Sequence, residues 1–240
     1  MAERITVWWS RSPIPGNLGD VLTPVLLAGL GYEVEWASQQ SADLLATGSI
    51  VRFARPGQFV YGSGIMWATD TPSPLARYLA VRGPLTRKIV LRCGGDCPEV
   101  YGDPALLLPR VHAEPVEQCH DVGIVPHYVD DEAVRAAYPD AHIISPLSAD
   151  PLAVVDQIRA CRSILSSSLH GIIVAHAYGI PAAWVRFSDR LDGDDVKFRD
   201  YAASVGVELK PYKTIDEAVP VLGSIDLGQL LEAIEAIRCQ

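Results

Sequence analysis

Short apolar runs alternate with longer amphipathic stretches along the whole chain. Runs rich in Val, Ile, Leu and aromatic residues predict strands at 5–9, 34–37, 44–47, 59–62, 78–81, 100–102, 122–125, 142–145, 164–166, 182–187 and 207–210. Several lack the in–out alternation of a half-exposed strand, as expected where both faces are covered. Helical spacing predicts 18–29 behind Asn17, and 150–162 with Leu152, Val155, Ile158 and Cys161 on one stripe. It also predicts 169–178, stopped by Gly179 and Pro181, and a last helix capped by Asp226 with Leu227, Leu230, Leu231, Ile234 and Ile237 inward. Strand then helix, repeated, predicts an α/β fold with mainly parallel sheets.

Residues 109–120 break the rhythm: they are polar, hold Pro109 and Pro115, and show no period. The pattern therefore predicts two doubly wound, Rossmann-like halves, 1–112 and 113–240, facing a central cleft. In such sheets ligands sit beyond the carboxyl ends of the strands, so the segments that follow strands matter most.

Five such segments stand out. Gly16-Asn17-Leu18-Gly19-Asp20 turns from the first strand into a helix, whose free amides and positive dipole end suit an anion. Thr47-Gly48-Ser49 and Gly62-Ser63-Gly64 are small-residue loops able to bring backbone donors to a ligand, although each reads more readily as a plain turn. In Val81-Arg82-Gly83-Pro84, Arg82 falls at a strand end, with Pro84 in the first turn of a helix that carries solvated Arg87 and Lys88. A guanidinium there suits carboxylate or phosphate. Asp103, in Gly102-Asp103-Pro104-Ala105, reads as a cap. In Ser166-Ser167-Ser168-Leu169-His170-Gly171, His170 sits in the first turn of an apolar helix, at the sheet edge, whereas His176 reads as a core histidine. The adjacent serines raise a hydrolase reading, but no G-x-S-x-G elbow is present and neighbours in one loop rarely reach triad geometry.

The chain has 240 residues, 49% of them apolar, enough for one large core or two smaller ones. A formal charge of -9 argues against a nucleic-acid surface but leaves room for a small basic pocket that takes a small anion. Residues 1–10 read as a buried strand rather than a leader, and no apolar stretch has the length of a membrane span, so a cytoplasmic protein is expected. Cys93, Cys97, Cys119, Cys161 and Cys239 read as thiols. Cys93 and Cys97 with Cys119 and His120 form only one loose pair, short of a zinc set, and no metal or other cofactor is expected. Trp8, Trp9, Trp36, Trp67 and Trp184 leave the oligomeric state open.

Taken in order, NLGD, VRGP, GDPALLLP, SSSLHGIIVAHAYGIPA and DDVKFRDYAASVG resemble the polysaccharide pyruvyl transferase family, from about residue 16 to 206. The resemblance implies a GT-B-like fold with the donor in the central cleft. It implies transfer of pyruvate from phosphoenolpyruvate to a sugar or lipid-linked oligosaccharide, as a ketal, with release of phosphate and without a cofactor. A lipid-linked acceptor would bring the chain to a membrane surface. His170 then stands as general acid, with Asp20 as base (Asp195 the alternative). Asn17, Gly19, Gly64, Arg82, Ser168 and Lys197 stand as substrate-binding residues. One position departs. Many members carry an arginine two residues before the histidine; here it is Ser168, so Arg186, Arg190 or Lys197 would supply that charge. A nucleotide-sugar glycosyltransferase and a non-catalytic sugar- or phosphate-binding relative are the competing readings.

Overall fold

The computed structural model describes residues 3–239, and the Cys239 thiol lies outside the described side chains. Its strands form two parallel sheets. The first contains β1 (Glu3–Trp8), β2 (Tyr32–Trp36), β3 (Leu44–Leu45), β4 (Phe59–Tyr61) and β5 (Arg77–Ala80), in the order β2-β1-β3-β4-β5. The second contains β6 (His120–Val125), β7 (His142–Ile143), β8 (Cys161–Ser166) and β9 (Ala182–Trp184), in the order β7-β6-β8-β9. Both are α/β halves of the predicted Rossmann-like kind. Each starts inside its sheet, steps to one edge, then crosses to the other side. The strand order therefore reverses between β1 and β3, and again between β6 and β8, the points at which open α/β sheets place their ligands.

The helices are α1 (Leu18–Gly29), α2 (Pro84–Arg92), α3 (Leu108–Val111), α4 (Asp131–Ala137), α5 (Pro151–Arg159), α6 (Leu169–Ala177), α7 (Val196–Ser204) and α8 (Gly228–Glu235). Asp150 caps α5 by accepting from the Leu152 and Ala153 amides, with Pro151 in the first position. Helix α6 has no polar face: Leu169 to His176 are all buried, and Gly179 with φ +72 ends the turn. The second half thus wraps around α6.

Some expectations fail for identifiable reasons. Residues 207–210 form no strand. Pro211 follows at once and has no N–H for a ladder, so contact with β9 comes only beyond it, as single bridges Val185–Tyr212 and Ala182–Val221. Residues 100–102 give one bridge, Tyr101 to Val81, before Gly102 turns at φ +137. The predicted last turn of 150–162 belongs to β8 instead. Asp226 binds the Gly228 amide, one residue ahead of the α8 cap position. Helices α4 and α7 escape the periodicity argument. Helix α4 buries only Val134, and α7 turns Lys197 and Asp200 inward, so neither shows an apolar stripe.

The halves are fused, not merely adjacent. The sheets change over between Val111 and His120, yet α8 packs back on the first sheet: Tyr32 and Tyr61 donate to the Ile234 and Leu230 carbonyls, 2.7 and 2.9 Å away. One apolar cluster contains Leu18, Leu22 and Leu26 of the first half with Ile144, Val155 and Ile172 of the second. Gly16–Leu18 zips to the segment 146–148: the Leu18 amide donates to Pro146 O (2.8 Å) and the Ser148 amide to Gly16 O (2.9 Å). Beyond β5, Asp200 of α7 accepts from Arg82 Nε at 3.2 Å, the Thr86 amide at 2.8 Å and the Thr86 hydroxyl at 2.6 Å. Both charged side chains are 0% exposed.

Removing one member of such a pair leaves a buried charge uncompensated. Asp200→Ala should therefore lower stability in denaturant unfolding by about 3–5 kcal/mol, and Arg82→Met with Asp200→Leu should recover much of it. A loss under 1 kcal/mol for the single variant would show that the pair does not hold the halves together.

Candidate active site

Arg82, placed by sequence at the cleft mouth, turns inward. Its Nη1 donates to Ser49 Oγ and its Nη2 to Ile65 O, both at 2.7 Å, and Nε reaches Asp200. The loops after β3 and β4 close around it, and the Gly64 amide donates to Gly48 O at 2.9 Å. Any side chain on Gly64 would collide with the guanidinium. Gly64 thus makes room for a buried cation, and Ser49 is a partner that sequence reading did not assign.

That charge acts on Lys197, in the first turn of α7. Lys197 is 7% exposed and makes one hydrogen bond, from Nζ to Asp192 O at 3.3 Å. Burial, then the Arg82 charge, pushes its pKa down to about 8, against the opposing pull of Asp192 and Asp195. Within reach of the Lys197 charge stands His127, two residues beyond β6 and half-buried. Burial, then the Lys197 charge, lowers it to about 4, so the ring is neutral at physiological pH. Its amide donates to Ser167 Oγ at 2.7 Å. The other two candidate cations are committed elsewhere. Arg186 pairs with Asp195 and Asp189, and Arg190 donates to Asp130 at 3.1 Å. Arg186 and Asp195 also line a small polar recess of about 100 Å³ beside the start of α7, with Ser188 and Gly193.

His170 lies where α1 and α6 meet. Its ring rests on Gly19, and a Cβ there would overlap Nδ1, Cε1 and Cγ. The glycine is thus required by close approach of the two halves. Asp20 follows on the same turn. Asn17 Nδ2 donates to its Oδ2 at 2.9 Å, in place of any capping bond from Asn17. Burial raises the Asp20 pKa above its ordinary value, while Asn17, His170 and the Ser10 amide favour the carboxylate. On the other side of the imidazole, His170 Nε2 faces Asp103 Oδ2 at 3.5 Å. Asp103 does cap, as predicted: its Oδ1 accepts from the Ala105 amide at 3.0 Å. Its second oxygen, turned to the histidine, is what sequence reading missed. His170 keeps 11% of its side chain exposed and Asp103 none.

The serines are structural. The Ser166 hydroxyl lies 2.7 Å from Val125 O and 2.8 Å from Ser168 O, and accepts from the Ser168 amide at 3.0 Å. Ser167 holds the His127 amide. Neither is a nucleophile poised on His170. Ser168 is buried at the N-cap of α6 and makes no side-chain capping bond. His176 is a satisfied core group: Nε2 donates to Val221 O (2.9 Å), Nδ1 accepts from the Tyr201 hydroxyl (3.0 Å), and burial lowers its pKa. Among the described residues, no group of three or more His, Cys, Asp or Glu is arranged to hold a metal ion.

This arrangement can be set beside known proteins. A protein of Acanthamoeba polyphaga mimivirus is 33% identical over 178 residues, covering 69% of this chain and 61% of that protein. The succinoglycan biosynthesis protein ExoV of Rhizobium meliloti (strain 1021) is 28% identical over 165 residues, 64% of this chain and 49% of ExoV. The chain thus spans roughly half to three-fifths of the length of these curated relatives. The model of one family, polysaccharide pyruvyl transferase, matches residues 59–189. That stretch is more than half of the chain and holds the Arg82, Asp103 and His170 segments, and on that match the chain belongs to the polysaccharide pyruvyl transferase family.

Proposed function

We propose that the chain transfers the pyruvyl group of phosphoenolpyruvate to two hydroxyls of a sugar, on a polysaccharide or its lipid-linked precursor, and releases phosphate. The observation that carries this reading is His170 lodged between Asp20 and Asp103 at the junction of the halves; the buried Lys197, beside Arg82 and His127, is the cation assigned to the donor. An imidazole flanked by two carboxylates can supply the proton donor and proton acceptor that addition to an anionic enol ester demands.

The protons balance as follows. The His170 imidazolium gives its proton to the methylene carbon of the donor, forming a C–H bond and leaving an oxocarbenium centre at the neighbouring carbon. The first sugar hydroxyl attacks that centre, and Asp20 takes its proton. The second hydroxyl displaces the phosphate: its proton returns to the imidazole, and the proton on Asp20 leaves with the phosphate. Lys197 holds the anionic groups, helped by the amides at the starts of α1 and α6. Arg82 acts at one remove, through the field it imposes on Lys197 and the position it gives α7. Asn17 orients Asp20, and Gly19 lets the imidazole reach it.

Cys93, Cys97, Cys119 and Cys161 are free thiols, which suits the reducing cytoplasm as the place of this chemistry. Among the described residues, no helix is long and apolar enough to cross a membrane, so a lipid-linked acceptor would be met at the membrane surface.

Incubation with phosphoenolpyruvate and candidate glycans should release phosphate and leave a pyruvate ketal visible by mass spectrometry. Release of a nucleoside diphosphate from a nucleotide sugar would identify a glycosyltransferase instead. His170→Ala should fold normally and lose about 10²–10⁴-fold in kcat; turnover near that of the parent would remove His170 from the mechanism.

Lys197→Met should raise the KM for the donor about 10–100-fold, the worth of a hydrogen bond to a charged group. Since Lys197 binds as an ammonium of pKa about 8, kcat/KM for the donor should fall as pH rises through that value. The variant should lack this limb, and a limb that persists belongs to another group.

Asp20→Asn should abolish turnover and stabilise the fold at neutral pH. The folded pKa of Asp20 lies above its unfolded value, so its ionisation opposes folding at pH above the folded pKa. The gap in thermal midpoint between variant and parent should close as pH falls below the unfolded value; a gap independent of pH would contradict this.

A further inference from the structure

The Asp103 carboxylate is fully buried and only half satisfied. Oδ1 accepts from the Ala105 amide; Oδ2 is buried and has no hydrogen-bond partner. The atom it faces, His170 Nε2, is likewise buried and without a partner, 3.5 Å away. That separation exceeds a formed hydrogen bond by a few tenths of an ångström. A buried carboxylate oxygen left unpaired is destabilising enough to require an explanation. Two other groups respond to its charge, the Tyr61 and Tyr201 phenols, but their hydrogens are directed elsewhere. Tyr61 donates to Leu230 O at 2.9 Å, and Tyr201 meets His176 Nδ1 at 3.0 Å. Of these neighbours, His170 is the one placed to give Oδ2 a hydrogen.

We infer that Asp103 is a positioning residue that fixes which nitrogen of His170 carries out the proton transfers. With the hydrogen of the neutral ring held on Nε2 by Asp103, the nitrogen that exchanges protons with substrate is Nδ1. That edge of the ring overlies Gly19 and neighbours Asp20, the charged group facing it from α1. When His170 is an imidazolium, Nε2–H points at a carboxylate that stays buried through the cycle, and Nδ1–H is the proton given to the donor carbon. After transfer, Nδ1 is the bare acceptor that takes the proton of the second hydroxyl. The bond that breaks and re-forms is Nδ1–H throughout, while Nε2–H is a spectator. This assignment rests on the proposed reaction for its catalytic meaning, but the tautomer is a property of the resting protein.

Asp103→Asn tests it with little change of shape. The asparagine Oδ1 can keep the Ala105 amide as its cap partner. Its NH₂ group then faces Nε2, a donor where a carboxylate stood, and the ring hydrogen should move to Nδ1. In ¹⁵N-labelled protein, His170 should show the Nε2–H tautomer in the parent and the Nδ1–H tautomer in the variant. The kcat for pyruvyl transfer should fall about 10²–10⁴-fold, with the donor KM within about three-fold, because the wrong nitrogen is protonated. An Nδ1–H tautomer in the parent overturns the assignment without any variant being made. So does a variant that keeps both the parental tautomer and kcat. If the parent shows the Nε2–H tautomer but transfers no pyruvyl group to any acceptor, the pairing stands and the proposed function falls.

Discussion

The buried contact between Arg82 and Asp200 sets the geometry on which the site depends. Two opposite charges, both out of water and 3.2 Å apart, add little net stability, since desolvation offsets most of their attraction. What they do is exclude alternatives. Asp200 accepts from three donors on the first half, Arg82 Nε and both Thr86 groups, and a slide of α7 along its axis would break all three together. Lys197 lies three residues earlier on the same helix, so it falls on nearly the same face. Docking Asp200 therefore delivers Lys197 to the seam and holds it within the field of Arg82. One structural ion pair thereby places and tunes a second cation that is not neutralised by it.

The second seam works by omission. The segment Gly16–Leu18 hydrogen-bonds to residues 146–148, which brings the start of α1 against the start of α6. Gly19 then contributes no side chain, and the His170 ring fills the space. The imidazole is thereby enclosed by one carboxylate from each side of it, Asp20 and Asp103, both supplied by the first half, while the ring comes from the second. Neither half has the arrangement alone. The unsatisfied atoms Asp103 Oδ2 and His170 Nε2, and the raised Asp20, are unfavourable for folding in isolation, and they gather at this junction. Stability is given up where the proposed chemistry requires pre-set proton donors and acceptors.

Much of the framework was legible because it is written in apolar residues. Helix α1 occupies the span that Asn17 and its apolar spacing predict, and each strand of both sheets overlaps one of the short apolar runs, with β1, β2, β5, β6 and β8 starting one to three residues earlier. Helix α7 was invisible for the same reason that makes it important: Lys197 and Asp200 occupy inward positions where a stripe would need leucine or valine. Arg82 read as a cleft residue because its counter-charge lies 118 residues away, beyond any local pattern. Gly64 read as a backbone approach to a ligand, when what it approaches is that guanidinium. Asp103 was identified as a cap from its place before a proline, but sequence gives the type of a side chain, not the direction of its second oxygen. His127 followed a strand just as the other candidate segments do, and that position was the signal available for it.

The serine at 168 can now be placed in this scheme. Where the resemblance implies a guanidinium at the start of α6, this chain leaves a small buried hydroxyl, and Arg186 and Arg190 are tied to Asp195 and Asp130. The remaining cation at the seam, Lys197, comes from a different element, α7. The two solutions are not equivalent. A guanidinium stays charged at any pH a cell reaches and offers a planar fork. Lys197 is a point charge whose pKa stands near 8 in the free protein, because burial and Arg82 both disfavour its proton. An anionic ligand beside it would restore that proton, so in this scheme donor binding and proton uptake by Lys197 are coupled. Under the proposed function the site would trade a permanent charge for one that its own ligand completes, with the buried arginine behind it setting how much of that charge is missing beforehand.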